Sequence, residues 1–162
     1  MTKKFDIFVQ KFPEIELPIT LRDDSHHDFE QNSPLSDVMI ADFISRYEAT
    51  VVDEFTEYLA CFRLPKEPKQ EYQALVYWKA GLLQYDYVIG TYSKDGNMID
   101  KKAIAGTKAI GSAVQHTLAT IDEKLAIFVA EGAATEGEDY DPNSTKARRF
   151  EILPNGRIEQ DY

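Results

Sequence analysis

Apolar positions in this chain keep two different periods, and the change of period divides it. Phe5, Phe8, Val9 and Phe12 recur at i, i+3, i+4 and i+7, the spacing of one helix face, which predicts a short amphipathic helix over residues 2–12 packed on the domain. Pro13 ends that pattern. Ile15, Leu17, Ile19 and Leu21 then alternate, predicting a strand over 14–21 with one buried face, which Pro18 confines to an edge. Residues 22–33 form a polar loop. Ser36 stands where it can cap a second short helix reaching about Arg46 and burying Val38, Met39 and Phe43, with Ile40 as a further candidate.

From Phe55 to the C-terminus the period is two. Strands are expected over 56–64, 72–79, 84–93, 97–105, 114–121, 125–132, 146–153 and 157–162. The breaks fall at Pro65/Pro68, Gly81, Asp95-Gly96, Gly106/Gly111, Asp122-Glu123, the 133–145 stretch and Asn155-Gly156. Connections so short hold no crossover helices, so sequence neighbours must pair antiparallel. Residues 73–78 are almost all apolar, which implies that both faces of this strand are covered or that the sheet is strongly curled. The expected fold is mostly β (α+β), a curled antiparallel meander of about eight strands, sandwich-like or a partly closed barrel. Two N-terminal helices plug an open end or one face. The whole chain, 1–162, reads as a single domain, with 1–54 a helix, edge strand and helix cap and 55–162 the meander.

Two turns share one frame. In a two-residue hairpin over Asn155-Gly156 the residue before the loop donates its backbone N–H across the turn, and Pro154 has none. A three-residue loop removes the conflict: Pro154 and Asn155 occupy a type I turn and Gly156 takes a left-handed bulge position. By the same frame Lys94-Asp95-Gly96 is a turn of the same kind, with Ser93 opposite Asn97.

Composition narrows the setting. No run of about 18 apolar residues is present to cross a bilayer as a helix. The single cysteine, Cys61, excludes an internal disulfide, and the first residues lack the pattern of a secretory signal, so a reducing cytoplasm is the expected location. The net charge is −10, and residues 1–60 hold thirteen acids against five bases. That field opposes nucleic-acid phosphates and anionic membrane surfaces. A partner chosen by charge is therefore a basic protein, for which Asp23, Asp24, Asp28 and Glu30 are the candidate contacts. A solvated acidic surface that merely keeps the protein soluble is the plain alternative.

Candidate chemistry is sparse. Gly106 to Gly111 has the glycine spacing of a phosphate loop, but no lysine follows Gly111 and both flanks read as strands. Asp139, Asp141 and Asn143 begin like a calcium loop, yet Ser144 replaces its glycine and Phe150 its bidentate acid. His26, His27 and Asp28, with Glu30 nearby, offer metal-ligand atoms, but adjacent residues of an extended segment point apart, so a polar loop is preferred unless His116 converges from elsewhere. No metal or other cofactor is expected. Cys61 lies between apolar neighbours as inert filler, Ser112 lacks the surroundings of a nucleophile elbow, and no carboxylate pair sits in an apolar context that raises a pKa. Tyr77, Trp78, Tyr85, Tyr87 and Tyr92 are the remaining candidate ligand-binding residues, with cross-strand sheet packing as the alternative.

The run Tyr85–Asp100, continuing to Ile104-Ala105-Gly106, with Ala119–Glu123 and Phe150–Gly156, resembles a loose bacterial family of uncharacterised β-rich proteins, many of them lipoprotein-like. The resemblance spans roughly residues 55–160 and implies a fold without an activity; the lipoprotein signal and its early cysteine are lacking. The leading expectation is a non-enzymatic binding or interaction domain with a basic partner, for example a cationic toxin held by an acidic immunity protein. The alternative is a small-molecule-binding protein or hydrolase using the concave interior of the sheet, and a third reading is a metal-dependent enzyme at His26, His27 and Asp28.

Overall fold

In the computed structural model, residues 3–49, 54–135 and 146–161 are described. Among them nine antiparallel strands form one sheet that curls on itself without closing. The chain runs α1 (Lys3–Gln10), β1 (Ile19–Leu21), a 3-10 turn (Ser25–Phe29), α2 (Asp37–Phe43), a second 3-10 turn (Ser45–Tyr47), β2 (Glu57–Arg63), β3 (Tyr72–Ala80), β4 (Gln84–Ser93), β5 (Met98–Ile110), β6 (Ala113–Ile121), β7 (Ile127–Thr135), β8 (Lys146–Ile152) and β9 (Ile158–Asp161). Strands β2 to β9 pair in chain order, and β1 stands beside β6. This is the meander that the period-two pattern implies.

The sheet buries both of its faces over β2 to β4. On the inner face Ala74, Val76, Tyr87, Ile89, Ile104, Ile121, Ile127 and Phe150 share one core, so residues from distant strands meet across the curl. On the outer face Phe5, Phe8 and Phe12 from α1 and its C-terminal end, with Phe43 and Ile44, cover Ala60, Leu75, Tyr77, Val88 and Tyr92. Successive β3 residues thus enter two different cores, which explains its nearly unbroken apolar run. A bulge between Ala60 and Phe62 lets Cys61 and Phe62 both join the inner core. The helices cover one face and do not plug the curl.

Ser36 caps α2 as expected, its Oγ accepting from the Met39 N–H at 3.2 Å. The helix ends at Phe43, before Arg46, and Val38 is 63% exposed. Val38 lies about 140° round the helix from Phe43, whereas Met39 and Ile40 lie within about 60° of it, so two turns of helix present only the latter stripe to the sheet.

The N-terminal strand is shorter than its alternation suggests. Only Ile19–Leu21 pairs in the sheet, with residues 119–121 of β6, while Glu14 bridges Arg63 of β2. Strand β5 pairs with β6 only as far as Thr117, and β1 takes up the β6 edge beyond it. Gly106, read as a break, lies inside β5 at φ +152°, and a Cβ there would stand 2.2 Å from the Tyr85 carbonyl oxygen. The strand runs on through this glycine, which pairs with Asp86 next to a register shift between Ala105 and Ala103, and the reversal comes at Gly111.

Both framed turns have the expected geometry. Ser93 N–H donates to Asn97 O at 2.8 Å and Gly96 N–H to Ser93 O at 3.0 Å; Leu153 N–H donates to Arg157 O and Gly156 N–H to Leu153 O, both at 2.8 Å. Gly96 and Gly156 sit at φ +87° and +91°. A third loop repeats the pattern, with Asp122 N–H donating to Ala126 O and Leu125 N–H to Asp122 O, both at 3.0 Å. There Leu125 holds the left-handed place at φ +67°. Gly156 also docks the last hairpin inside the curl: its carbonyl accepts from Thr91 Oγ1 at 2.6 Å, and Asp100 Oδ2 accepts from the Ile158 N–H at 2.8 Å.

Candidate functional site

The segment between β1 and α2 is built around a 3-10 turn and pinned at both ends of its arc. Arg22 N–H donates to Ser25 Oγ at 2.8 Å, and the His27 N–H returns to the Asp24 carbonyl at 3.2 Å. Phe29 is buried against Phe62, ring centres 5.7 Å apart. Asn32 Nδ2 donates to the Ala60 and Cys61 carbonyls at 2.7 and 2.9 Å, using backbone acceptors on the side of β2 that has no partner strand. The expected polar loop is therefore an ordered turn.

Its imidazoles meet the sheet at the rim of the curl. The His26 ring lies flat on the Trp78 indole, 2° between planes and 4.6 Å between centres, and Tyr85 stands 5.8 Å from Trp78 and 5.9 Å from His26. His26 Nδ1 and the Tyr85 hydroxyl both donate to the Asp23 carbonyl, at 3.1 and 3.4 Å. A carbonyl only accepts, so Nδ1 of His26 carries the proton and Nε2 is its free lone-pair nitrogen when the ring is neutral. The His27 ring lies 4.1 Å from that of His26, and its Nδ1 meets Glu30 Oε1 at 2.9 Å. Adjacent histidines converge because this segment is helical and not extended; the sequence argument against convergence rested on an extended backbone.

Across the rim, His116 Nδ1 lies 3.3 Å from Thr107 Oγ1 and 3.9 Å from Asp23 Oδ2. The three residue types invite comparison with a catalytic triad. In a triad the hydroxyl and the carboxylate engage opposite ring nitrogens; here both approach Nδ1, so the arrangement cannot relay a proton from hydroxyl to carboxylate. Cys61, the free thiol, is fully buried, and burial pushes its pKa far above the ordinary value.

The five candidate aromatic residues fall into two sets. Trp78, Tyr85 and Tyr87 face the inner side, where Trp78 pairs with Tyr87 in register. Of these, Trp78 and Tyr85 reach the rim beside His26, while Tyr87 is fully buried. Tyr77 and Tyr92 are buried in the outer core, Tyr92 donating to the Phe43 carbonyl at 2.7 Å. The four acids Asp23, Asp24, Asp28 and Glu30 are all exposed on the ordered segment.

A second polar cluster, unseen in sequence, lies on the outer face. Glu48 Oε2 meets Lys79 Nζ at 3.1 Å and Lys101 Nζ at 3.2 Å, beside a cavity of about 290 Å³ that Tyr77, Asp86 and Lys102 also line. Burial pushes the Glu48 carboxyl up, but the Lys79 hydrogen bond and the Lys101 charge outweigh it and hold its pKa below the ordinary value. Burial raises that of Asp86, against a hydrogen bond from Gln84 and the charges of Lys79 and Lys108. No local signal links these residues, which come together only through strand register. The two lysines are committed to Glu48, and the cluster ties the end of the second 3-10 turn to β3 and β5.

The calcium-like residues Asp139, Asp141, Asn143 and Ser144 lie outside the described residues. Among the described residues no helix is long and apolar enough to cross a membrane. Comparison with protein-family models, with curated proteins and with solved structures finds no match, so function must be read from the geometry of this chain.

Proposed function

We propose that this protein is a non-enzymatic binding domain that recognises a basic protein partner through its acidic segment 23–30. One observation carries the reading. Exposed Asp24, Asp28 and Glu30 are presented on a turn already ordered by the His26–Trp78 stack, the buried Phe29 and the two Asn32 hydrogen bonds. A surface held in its bound shape loses little conformational entropy on association, and clustered carboxylates steer a cationic surface toward it. The inner face of the sheet is filled by side chains such as Val76, Tyr87, Ile89 and Phe150, so this reading puts recognition on the surface of the protein and not inside the curl.

The test is capture from an extract of the native host on immobilised protein, with the triple variant Asp24→Asn, Asp28→Asn, Glu30→Gln beside the parent. The expected result is a basic protein that the parent retains at low salt, that elutes as salt rises, and that the variant does not hold. A partner held equally by the variant and insensitive to ionic strength overturns the proposal.

A further inference from the structure

We infer that His26, His27 and Glu30 form a binding site for one divalent transition-metal ion of the zinc, nickel or copper type. Each offers one ligand atom, and these atoms all lie within 4.8 Å of one another. Tetrahedral coordination with bonds of about 2.0–2.1 Å sets ligand atoms about 3.4 Å apart, an adjustment that the exposed His27 and Glu30 side chains supply by rotation. His27 Nδ1 and Glu30 Oε1 already meet at 2.9 Å, so the ion takes the place of the proton that bridges them.

The support for His26 comes from outside the ligand set. Its Nδ1–H is held by the Asp23 carbonyl, the outer contact that fixes the tautomer of a metal-bound histidine and leaves Nε2 to ligate. Its ring plane is fixed by the Trp78 indole. Two imidazoles and one carboxylate favour borderline ions over calcium or magnesium, which prefer all-oxygen shells. Three protein ligands leave a coordination position for water or for a donor from a partner molecule. Exposed Asp24 and Asp28 add negative charge around the ion. The inference does not depend on a protein partner, and a metal titration can succeed or fail independently of partner capture.

Trp78 is the sole tryptophan of the chain and stacks directly on His26, so its emission reports on the site. Titration of tag-free protein with Ni²⁺ or Cu²⁺, paramagnetic quenchers, is expected to lower Trp78 emission more than two-fold and to saturate at a single equivalent, with Zn²⁺ competing for the same equivalent in equilibrium dialysis. His27→Ala and Glu30→Gln, both at exposed positions, are expected to weaken binding about 10-fold or more while far-ultraviolet circular dichroism is unchanged. His116→Ala is expected to leave it intact. Quenching that does not saturate, binding retained in both variants, or binding lost only in His116→Ala would each overturn the site.

Discussion

Gly156 faces Ile99 so closely that a Cβ on residue 156 would stand 2.8 Å from the Ile99 Cδ1, and it does so at φ +91°. Two constraints therefore fall on one residue, a left-handed backbone and a close side-chain approach. Gly156→Ala is expected to cost about 2–4 kcal/mol in urea unfolding. Ile99→Val removes the offending atom, so in that background the same substitution should cost about 1 kcal/mol less. A purely additive cycle would show that backbone conformation alone sets the requirement.

The loop Glu123-Lys124-Leu125 achieves the same turn without glycine. Asp122 Oδ1 accepts from the Lys124 and Ala126 N–H groups, each at 2.9 Å, and Leu125 packs on the inner core. Asp122→Ala is expected to destabilise the fold by about 1–2 kcal/mol. Asp122→Asn, which keeps the acceptor oxygen, should lose less than half of that. Chemical denaturation of the two variants measures the difference.

Cys61 should be silent in the native protein. Its thiol is fully buried and its pKa is driven upward by burial, so Ellman's reagent is expected to find no reactive thiol in buffer and one equivalent after denaturation. Rapid labelling of the folded chain would contradict the packing of the β2 bulge.

The outer-face acids should oppose each other in their pH dependence. The lysines hold the Glu48 pKa low against its burial, so its contribution to stability is complete above the unfolded value of about 4.3 and disappears as pH falls through the lower folded value. Glu48→Gln should therefore lose about 1–2 kcal/mol near neutral pH and approach the parent as pH falls through the lowered folded value. Burial raises the Asp86 pKa, so its charged form weakens the fold and stability is lost as pH rises through the folded value. Asp86→Asn is expected to be more stable than the parent at pH 7 and equal to it in acid. Urea midpoints of the three proteins across this range decide both signs.

Much of the sheet was legible because its information is local. Alternation places seven of the eight expected strands within three residues of their observed bounds, with β5 running five residues further, and the missing N–H of Pro154 sets the Gly156 loop and, by the shared frame, that at Gly96. The Asp122 turn escaped because Leu125 carries no turn signal and is held by a neighbouring side chain instead. Gly106 reads as a break in the sequence because glycine accompanies a strand end and a close backbone approach alike, and only the closeness of the Tyr85 carbonyl decides between them. Strand alternation already implies that Tyr77 and Trp78 face opposite ways; grouping them by residue type obscured it. Convergence of His26 with His27 depended on a 3-10 turn anchored by Phe29 and Asn32, and contacts with Phe62 and the bulged strand are not visible in residues 22–33. Glu48, Lys79 and Lys101 are likewise joined only by tertiary register.

At Gly106 strand β5 passes from one pairing neighbourhood into two. Before it β5 pairs with β4 alone; from it onward β5 also pairs with β6, while β1 occupies the edge of β6 that β5 leaves. The early and late strands consequently have no separate interiors, since β3 and β4 share one core with β7 and β8. A chain wired in this way has no seam along which half of it can melt, and its loss of structure is expected as one cooperative event, with the N-terminal strand released together with the sheet whose gap it fills.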